Sequence, residues 1–245
     1  MNQIHNVKIE DLLGREVIQM NNKRIGDEIS GKVILVTGAA GSIGSEIVRQ
    51  LIAYFPSKLV LVDQAESALY DLEYELAGRV PTNVQLIVNV ADVSDTRRVS
   101  KIFKNHEPDI VFHAAAYKHV PLMENNPYEA IKTNVIGTRI LAELASEVGV
   151  EKFVMVSTDK AVNPTNVMGA TKRLAEMYTQ SMNQLEGVKT KFIATRFGNV
   201  LGSNGSVIPF FIDKAKTGVL HITDMGMTRF NILLEEGVEM VFWAL

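Results

Sequence analysis

The chain has 245 residues, of which 47% are hydrophobic and 22% are charged, and this ordinary globular composition excludes a disordered or low-complexity protein. Its 25 Lys and Arg residues against 28 Asp and Glu residues give a net charge of -3, so there is no cationic excess for binding nucleic acid. Cysteine is absent, which excludes disulfides, thiol nucleophiles and thiolate metal sites.

The first 30 residues are polar with scattered aliphatic side chains, and we expect residues 1–30 to form an N-terminal arm. From Lys32 onward, short apolar runs alternate with longer segments of helical period. The apolar runs predict strands at 33–37, 59–62, 84–88, 110–113, 153–157 and 192–195. The segments between them predict helices at 43–55, 66–78, 95–105, 127–148 and 168–185. This alternation predicts an α/β fold with a doubly wound parallel sheet that is covered on both faces.

Beyond Arg196 the alternation stops, and glycine, serine and asparagine become frequent. We expect residues 31–197 to form one domain and residues 198–245 to begin a smaller, incomplete substrate-binding region. The last eleven residues are typical of a helix without a C-terminal cap, so we expect the sequence to be cut from a longer protein. No segment approaches the roughly 20 apolar residues of a membrane helix, and the N-terminus lacks a signal-peptide pattern.

A glycine-rich segment follows the first predicted strand and opens the first predicted helix. Its spacing is GxxGxxG, with Gly38, Gly41 and Gly44 around Ser42 and Ile43. Glycines allow the backbone to approach a pyrophosphate closely, and the N-terminus of the helix offers free N–H groups. The segment therefore predicts a dinucleotide-binding loop, and the alternative is a glycine-rich turn without a ligand.

The ends of the next predicted strands carry residues suited to the rest of a dinucleotide. Asp63 can accept hydrogen bonds from both adenosine ribose hydroxyls and would repel a 2′-phosphate, which favours NAD over NADP. The alternative is that Asp63 only caps the following helix. Asp92 and Val93 are expected to meet the adenine edge. Three small residues are expected to let the backbone approach the cofactor, namely Ala114, Ala115 and Ala116. The alternative is that these small residues only serve the packing at the end of the strand.

With these features in order, the chain resembles the extended short-chain dehydrogenase/reductase superfamily, which has an NAD(P)-binding Rossmann fold. Residues 156–173 narrow the likeness to nucleotide-sugar 4,6-dehydratases, above all to the soluble domain of large, membrane-anchored UDP-N-acetylglucosamine 4,6-dehydratases of bacterial polysaccharide and capsule biosynthesis. The same family is matched by four further segments, 8–15, 115–124, 133–138 and 195–202. The resemblance implies NAD as cofactor and a UDP-sugar as substrate. It implies a cytoplasmic location, either as a separate protein or as the cytoplasmic domain of an inner-membrane protein. It also implies a homo-oligomer that is paired through the segments 127–148 and 168–185.

One position departs from the superfamily pattern Tyr-x-x-x-Lys, in which the tyrosine is the acid/base group. Here Met168 stands in the tyrosine position, four residues before Lys172. A thioether cannot exchange protons at neutral pH. The methionine subfamily of these dehydratases shares the substitution, and the resemblance implies that Lys172 holds the nicotinamide ribose.

Proton transfer must then fall to other groups. Asp159 and Lys160 directly follow the fifth predicted strand, at the edge where doubly wound sheets bind ligands. The resemblance implies that Thr158 handles the sugar C4 hydroxyl, that Asp159 protonates the departing C6 hydroxyl and that Lys160 takes the C5 proton. The alternative is an ordinary Asp-Lys turn at the surface.

Further residues are candidates for the sugar nucleotide, with Arg229 as a partner of the diphosphate. They are Lys118, His119, Asn199, Ser203, Ser206, Pro209 and Arg229. The histidines show no metal-binding spacing, so we expect no metal. Two other functions stay open: a nucleotide-sugar 4-epimerase, which needs no acid for a leaving hydroxyl, and a non-catalytic NAD-binding module.

Overall fold

A computed structural model describes residues 13, 15, 16, 18, 22–203, 211, 218, 226 and 230–245. Six parallel strands form the main sheet in the order β3-β2-β1-β4-β5-β6. They are β1 (Val33–Thr37), β2 (Lys58–Asp63), β3 (Gln85–Val90), β4 (Ile110–His113), β5 (Lys152–Thr158) and β6 (Lys191–Phe197). The predicted doubly wound sheet is confirmed. Because the strand order reverses between β1 and β4, a crevice opens at the carboxyl ends of these two strands.

Helices connect the strands and cover both faces of the sheet. They are α1 (Asn22–Ile29), α2 (Ser42–Ile52), α3 (Glu66–Leu76), α4 (Thr96–His106), α5 (Val120–Asn125), α6 (Pro127–Ala130), α7 (Thr138–Val148), α8 (Val167–Ser181) and α9 (Leu234–Trp243). Single 3₁₀ turns follow β5 at Asp159–Ala161 and α8 at Met182–Gln184. Two short strands, β7 (Asn199–Val200) and β8 (Asn231–Ile232), form a separate parallel pair. Within the described residues, no helix has the length and apolar composition needed to cross a bilayer.

Alternate residues of each strand enter two hydrophobic cores. On β1, Ile34 and Val36 pack on the face that carries α2 and α9, whereas Leu35 packs on the face that carries α4 and α7. All three side chains are fully buried. Because successive strand residues point to opposite faces, the continuous apolar runs follow directly from a sheet covered on both sides.

Both ends of the described chain pack against the first of these cores, which the sequence did not predict. Residues 1–30 were expected to form an arm, but α1 buries Ile25 and Ile29 against the sheet. Residues 198–245 were expected to begin a substrate-binding region, and within them α9 inserts Val238 and Phe242 into the same core. The Phe242 ring packs edge-on against Phe112, with centroids 5.4 Å apart. These helices therefore stabilise the sheet from segments that flank it in sequence.

The structure is helical over the predicted bounds 127–148, but it is not α-helical throughout. Between α6 and α7, residues Ile131–Gly137 form a π-helical segment. A Cβ atom on Gly137 would lie 2.7 Å from Cγ2 of Val93, so glycine allows this segment to approach the loop after β3. π-helical segments are frequent at functional sites. Here the segment carries Asn134, whose side chain is buried.

Candidate active site

The glycine-rich loop is shaped by close backbone approach. Gly38 has a φ angle of 66°, and a Cβ atom there would lie 2.5 Å from the amide nitrogen of Ala115. A Cβ atom on Gly44 would overlap the carbonyl of Gly38, so the first turn of α2 packs directly on the loop. Both positions therefore require glycine. Gly41 is the N-cap of α2, which begins at Ser42 and Ile43, so the N-terminus of this helix lies at the loop.

One cavity of about 230 Å³ lies beside this loop. Its lining includes Gly38, Gly41, Asp63, Gln64, Asp92, Val93, Thr133 and Ala114–Ala116. The Asp63 carboxylate accepts hydrogen bonds from the amides of Ala40 and Ala65, both at 3.0 Å. It thus ties the loop to β2 and faces the cavity at the same time. The N-cap of α3 is Ala65, so Asp63 contacts the start of that helix without being its cap.

Asp92 is fixed at the far wall of this cavity. It accepts hydrogen bonds from the amide and the hydroxyl of Ser94 at 2.8 Å and 2.7 Å, and from Lys132 at 3.2 Å. Burial opposes its ionisation, but these three donors outweigh burial and hold the pKa of Asp92 below its usual value. Val93 is buried beside it. Together the two residues place a polar and an apolar side chain at this part of the cavity.

A second cavity of about 310 Å³ adjoins the first one, with Ala114 and Ala116 shared between them. Its wall brings together most residues that the sequence singled out for chemistry. They are Ile43, Lys118, His119, Thr158, Lys160, Met168, Lys172, Asn199 and Ser203, with Tyr117, Ser157, Gly198 and Asn231 among the others. The two cavities form one crevice across the carboxyl ends of the sheet.

Lys172 and Met168 lie on the same face of α8 at this second cavity. Lys172 is 6% exposed and donates a hydrogen bond of 2.7 Å to the carbonyl of Val156. Burial lowers its pKa to about 8, and the negative charge of Glu176 opposes this shift. Met168 is 3% exposed and packs against Met123, so it supplies an apolar wall where the superfamily pattern has a phenol.

The turn after β5 holds the acid and base candidates. Asp159 Oδ1 accepts hydrogen bonds from the Thr158 hydroxyl at 2.9 Å and from the Lys160 ammonium at 3.0 Å. Lys160 also donates to Asn199 Oδ1 at 3.1 Å. Burial raises the pKa of Asp159, but Lys160 and Thr158 outweigh it, so that the pKa is lowered on balance. Asp159 itself is half exposed and stands at the rim of the cavity, beside the residues that line it.

Asn134 was not predicted from the sequence, although its contacts organise the crevice. Its side-chain amide accepts from the Tyr117 amide at 2.9 Å, donates to the Tyr117 carbonyl at 3.1 Å, and donates to Thr171 at 3.1 Å. It thus joins the loop after β4 to α8, next to Lys172. An asparagine inside a predicted helix carries no local signal of such a role, because its partners lie 17 and 37 residues away.

His113, also not predicted as functional, links the strands and the helix next to the crevice. The fully buried ring lies 2.7 Å from the Thr37 hydroxyl and 2.8 Å from the Thr138 hydroxyl. Because Thr138 donates to the carbonyl of Asn134, the ring donates from Nε2 to Thr138 and accepts from Thr37 at Nδ1. Burial lowers the pKa of His113 to about 3, so the ring is neutral at physiological pH. It joins the ends of β1 and β4 to the start of α7.

The predicted substrate-binding residues divide into two groups. Lys118, His119, Asn199 and Ser203 line the second cavity, and burial lowers the pKa of Lys118. Ser206, Pro209 and Arg229 lie outside the described residues. Among the described residues, no group of three or more His, Cys, Asp or Glu side chains is placed to hold a metal ion.

A family model described as polysaccharide biosynthesis protein matches residues 34–245. The chain belongs to this family. It is 48% identical over 243 residues to the probable polysaccharide biosynthesis protein EpsC of Bacillus subtilis (99% of this chain, 40% of EpsC). It is 41% identical over 216 residues to the inverting UDP-N-acetylglucosamine 4,6-dehydratase of Campylobacter jejuni (86% and 63%). It is 37% identical over 218 residues to the UDP-glucose 4-epimerase of Rickettsia canadensis (87% and 62%).

Among solved structures, Pen from Bacillus thuringiensis superposes with a TM-score of 0.82 at 33% identity, covering 88% of this chain and 66% of Pen. The chain spans about two fifths of the length of EpsC and less than two thirds of the dehydratase. The family and the fold are therefore established, and the resemblance to extended short-chain dehydrogenases/reductases and nucleotide-sugar 4,6-dehydratases is confirmed.

Proposed function

We propose that this protein dehydrates a UDP-sugar, with UDP-N-acetylglucosamine as the first candidate, to its 4-keto-6-deoxy derivative in an NAD-dependent reaction for polysaccharide biosynthesis. One observation carries the proposal: Asp159 and Lys160 are paired at the same cavity that Met168 and Lys172 line. The relative named as a 4,6-dehydratase supports it.

The crevice fits NAD, because its glycine positions leave no room for a Cβ atom and α2 points its N-terminus into it. We assign Gly38, Gly41, Ser42, Ile43 and Gly44 to the pyrophosphate. Asp63 would bind the adenosine ribose, Asp92 and Val93 the adenine, and Lys172 the nicotinamide ribose, while Ala114–Ala116 form the floor. When bound, NAD would accept a hydride from sugar C4 and return it to C6.

The chain's own residues would move the protons. We assign the C4 hydroxyl to Thr158, which already donates to the Asp159 carboxylate and so has a path for its proton. Dehydration then needs a base for the C5 proton and an acid for the leaving C6 hydroxyl. Asp159, once it holds the C4 proton passed on through Thr158, would protonate the leaving C6 hydroxyl, and Lys160 would take the C5 proton and return it. This keeps the division that the resemblance implied.

The sugar nucleotide would occupy the second cavity. We propose Lys118, His119, Asn199 and Ser203 as its contacts, because all four line that cavity. The sequence candidates Ser206, Pro209 and Arg229 stay proposals that rest on the sequence alone.

A 4-epimerase is the second candidate, and the Rickettsia relative supports it. It needs the same oxidation at C4 but no acid for a leaving hydroxyl. The Asp159-Lys160 pair, held in contact at the cavity, therefore favours dehydration. A non-catalytic NAD-binding module is the third candidate, since Met168 offers no proton.

Mass spectrometry of the NAD-loaded protein after incubation with UDP-N-acetylglucosamine separates the three. A product that is lighter by one water supports dehydration; a product of unchanged mass and inverted C4 supports epimerisation. Bound NAD without a product supports the binding module. The matched variants Asp159→Asn and Lys160→Met should bind NAD as before and lose about 10²–10⁴-fold in elimination.

We further propose that the protein acts in the cytoplasm as a homo-oligomer, paired through the segments 127–148 and 168–185. Three exposed apolar side chains on these segments support this pairing, namely Tyr128, Leu174 and Met177, at 71%, 52% and 52% exposure. Sedimentation of the wild type against Leu174→Glu tests it, and a monomeric wild type would contradict it.

A further inference from the structure

The Lys160 ammonium lies between two oxygens that belong to different elements. Asp159 is its neighbour in sequence, and the two side chains are 47% and 37% exposed. An exposed ion pair contributes little, and a lysine side chain has considerable rotamer entropy to lose. The contact with Asp159 therefore does not determine by itself where the ammonium points.

The second oxygen is Asn199 Oδ1. Backbone hydrogen bonds hold the chain at Asn199 and at Leu201. The amide of Asn199 donates to the carbonyl of Phe230 at 3.0 Å, and the amide of Leu201 donates to the carbonyl of Ile232 at 2.9 Å. Just before it, a Cβ atom on Gly198 would lie 2.6 Å from the Phe230 carbonyl oxygen. The β7–β8 pair thus presents the amide of Asn199 at a defined position on the cavity wall, 3.1 Å from the ammonium.

We propose that Asn199 is a positioning residue, whose amide oxygen holds the Lys160 ammonium at the wall of the second cavity. The inference rests on the proposed function, in which Lys160 transfers a proton to or from the sugar. It goes beyond the role of Asn199 as a substrate contact. An amide oxygen is neutral, so it orients the ammonium without adding a negative charge to the cavity in which an anionic sugar nucleotide would bind.

Two variants at this position separate orientation from charge. Asn199→Leu keeps the size of the side chain and removes the acceptor oxygen, so the Lys160 side chain should become mobile. Asn199→Asp keeps an oxygen at the same place and adds a charge, so the ammonium should stay held. Asn231→Leu is the matched control, because Asn231 lies opposite Asn199 in β8 and lines the same cavity.

The first measurement is the ¹³C relaxation order parameter of the Lys160 Cε methylene in the NAD-loaded full chain, assigned with Lys160→Arg. We expect a clear loss of order in Asn199→Leu and wild-type order in Asn199→Asp and Asn231→Leu. An unchanged Lys160 signal in Asn199→Leu would overturn the proposal. This measurement does not require turnover, so it decides the role of Asn199 even if the proposed reaction fails.

The second measurement is the dehydration of UDP-N-acetylglucosamine. Asn199→Leu should lower kcat by about tenfold, since a hydrogen bond to a charged group is at least of that size, in addition to any rise in KM from the lost substrate contact. Asn199→Asp should restore kcat and raise KM. A raised KM with unchanged kcat in Asn199→Leu would show a substrate contact only and overturn the positioning role.

Discussion

Gly169→Ala should damage the acid-base turn although alanine is the better helix former. Gly169 lies in the first turn of α8, and a Cβ atom there would come closer than 3.0 Å to the carbonyl oxygen of Lys160. Ordinary contact begins at 3.4 Å, so the turn that carries Asp159 and Lys160 has to move by at least about 0.4 Å. Alanine gains about 1 kcal/mol of helix propensity, whereas such overpacking costs about 1–3 kcal/mol.

The expected net result is a small loss in the free energy of unfolding, about 0–2 kcal/mol, with a much larger loss in turnover. Because a misplacement of 1 Å can cost about 100-fold, we expect a roughly tenfold to hundredfold lower kcat and nearly unchanged NAD affinity. Gly237→Ala in α9 is the control, since its Cβ atom would meet nothing within 4 Å and should only add stability. Denaturant unfolding and steady-state kinetics measure both effects. Wild-type turnover in Gly169→Ala would refute the reasoning.

Three further predictions concern acid stability and cofactor choice. The pKa of His113 lies at about 3 in the folded state, below the ordinary 6.5, so the unfolded chain binds the extra proton and stability should fall as pH drops from 6.5 toward 3. This slope should vanish in His113→Gln, and its persistence in denaturant unfolding at several pH values would contradict the assignment. Glu236 has a pKa of about 2 because Arg15 donates to it, aided by the amides of Ile18 and Leu233. Its contribution is present above the ordinary value of 4.5 and should be lost as pH falls from 4.5 to 2; Glu236→Gln should abolish this loss while leaving the His113 slope. Asp63→Ala should lower the preference for NAD over NADP by at least tenfold in fluorescence titration, as the carboxylate that repels a 2′-phosphate is gone; an unchanged preference would exclude that role.

The main sheet and much of the crevice could be predicted because their determinants are local. Strand 33–37 and strand 110–113 have the predicted bounds, since each is a short apolar run between polar segments. The GxxGxxG spacing likewise predicts a dinucleotide-binding loop from local sequence alone, because a strand, a glycine turn and a helix follow one another directly. Thr158, Lys160 and Lys172 reach the same cavity since parallel strands end at one edge of the sheet.

What escaped prediction depends on partners distant in sequence. The contact of Lys160 with Asn199 joins positions 39 residues apart, and the fixation of Tyr117 by Asn134 depends on the π-helical segment. α1 and α9 are amphipathic, but nothing in their own sequences tells that both pack on one sheet. Glu176 in α8 shows the same limit: it is fully buried and pairs with Arg173 of its own helix and with Arg196, a partner that only the packing of α8 on β6 supplies.

The parallel ladder of β7 and β8 has only two rungs, although it joins residues 32 positions apart. So short a ladder joins distant parts of the chain through very few amides, and such closure costs conformational entropy. The amide hydrogens of Asn199 and Leu201 should therefore exchange with deuterated solvent far sooner than those of β5. Any ligand that touches both sides of the ladder would slow that exchange, which makes these two hydrogens reporters of occupancy that need no enzymatic assay.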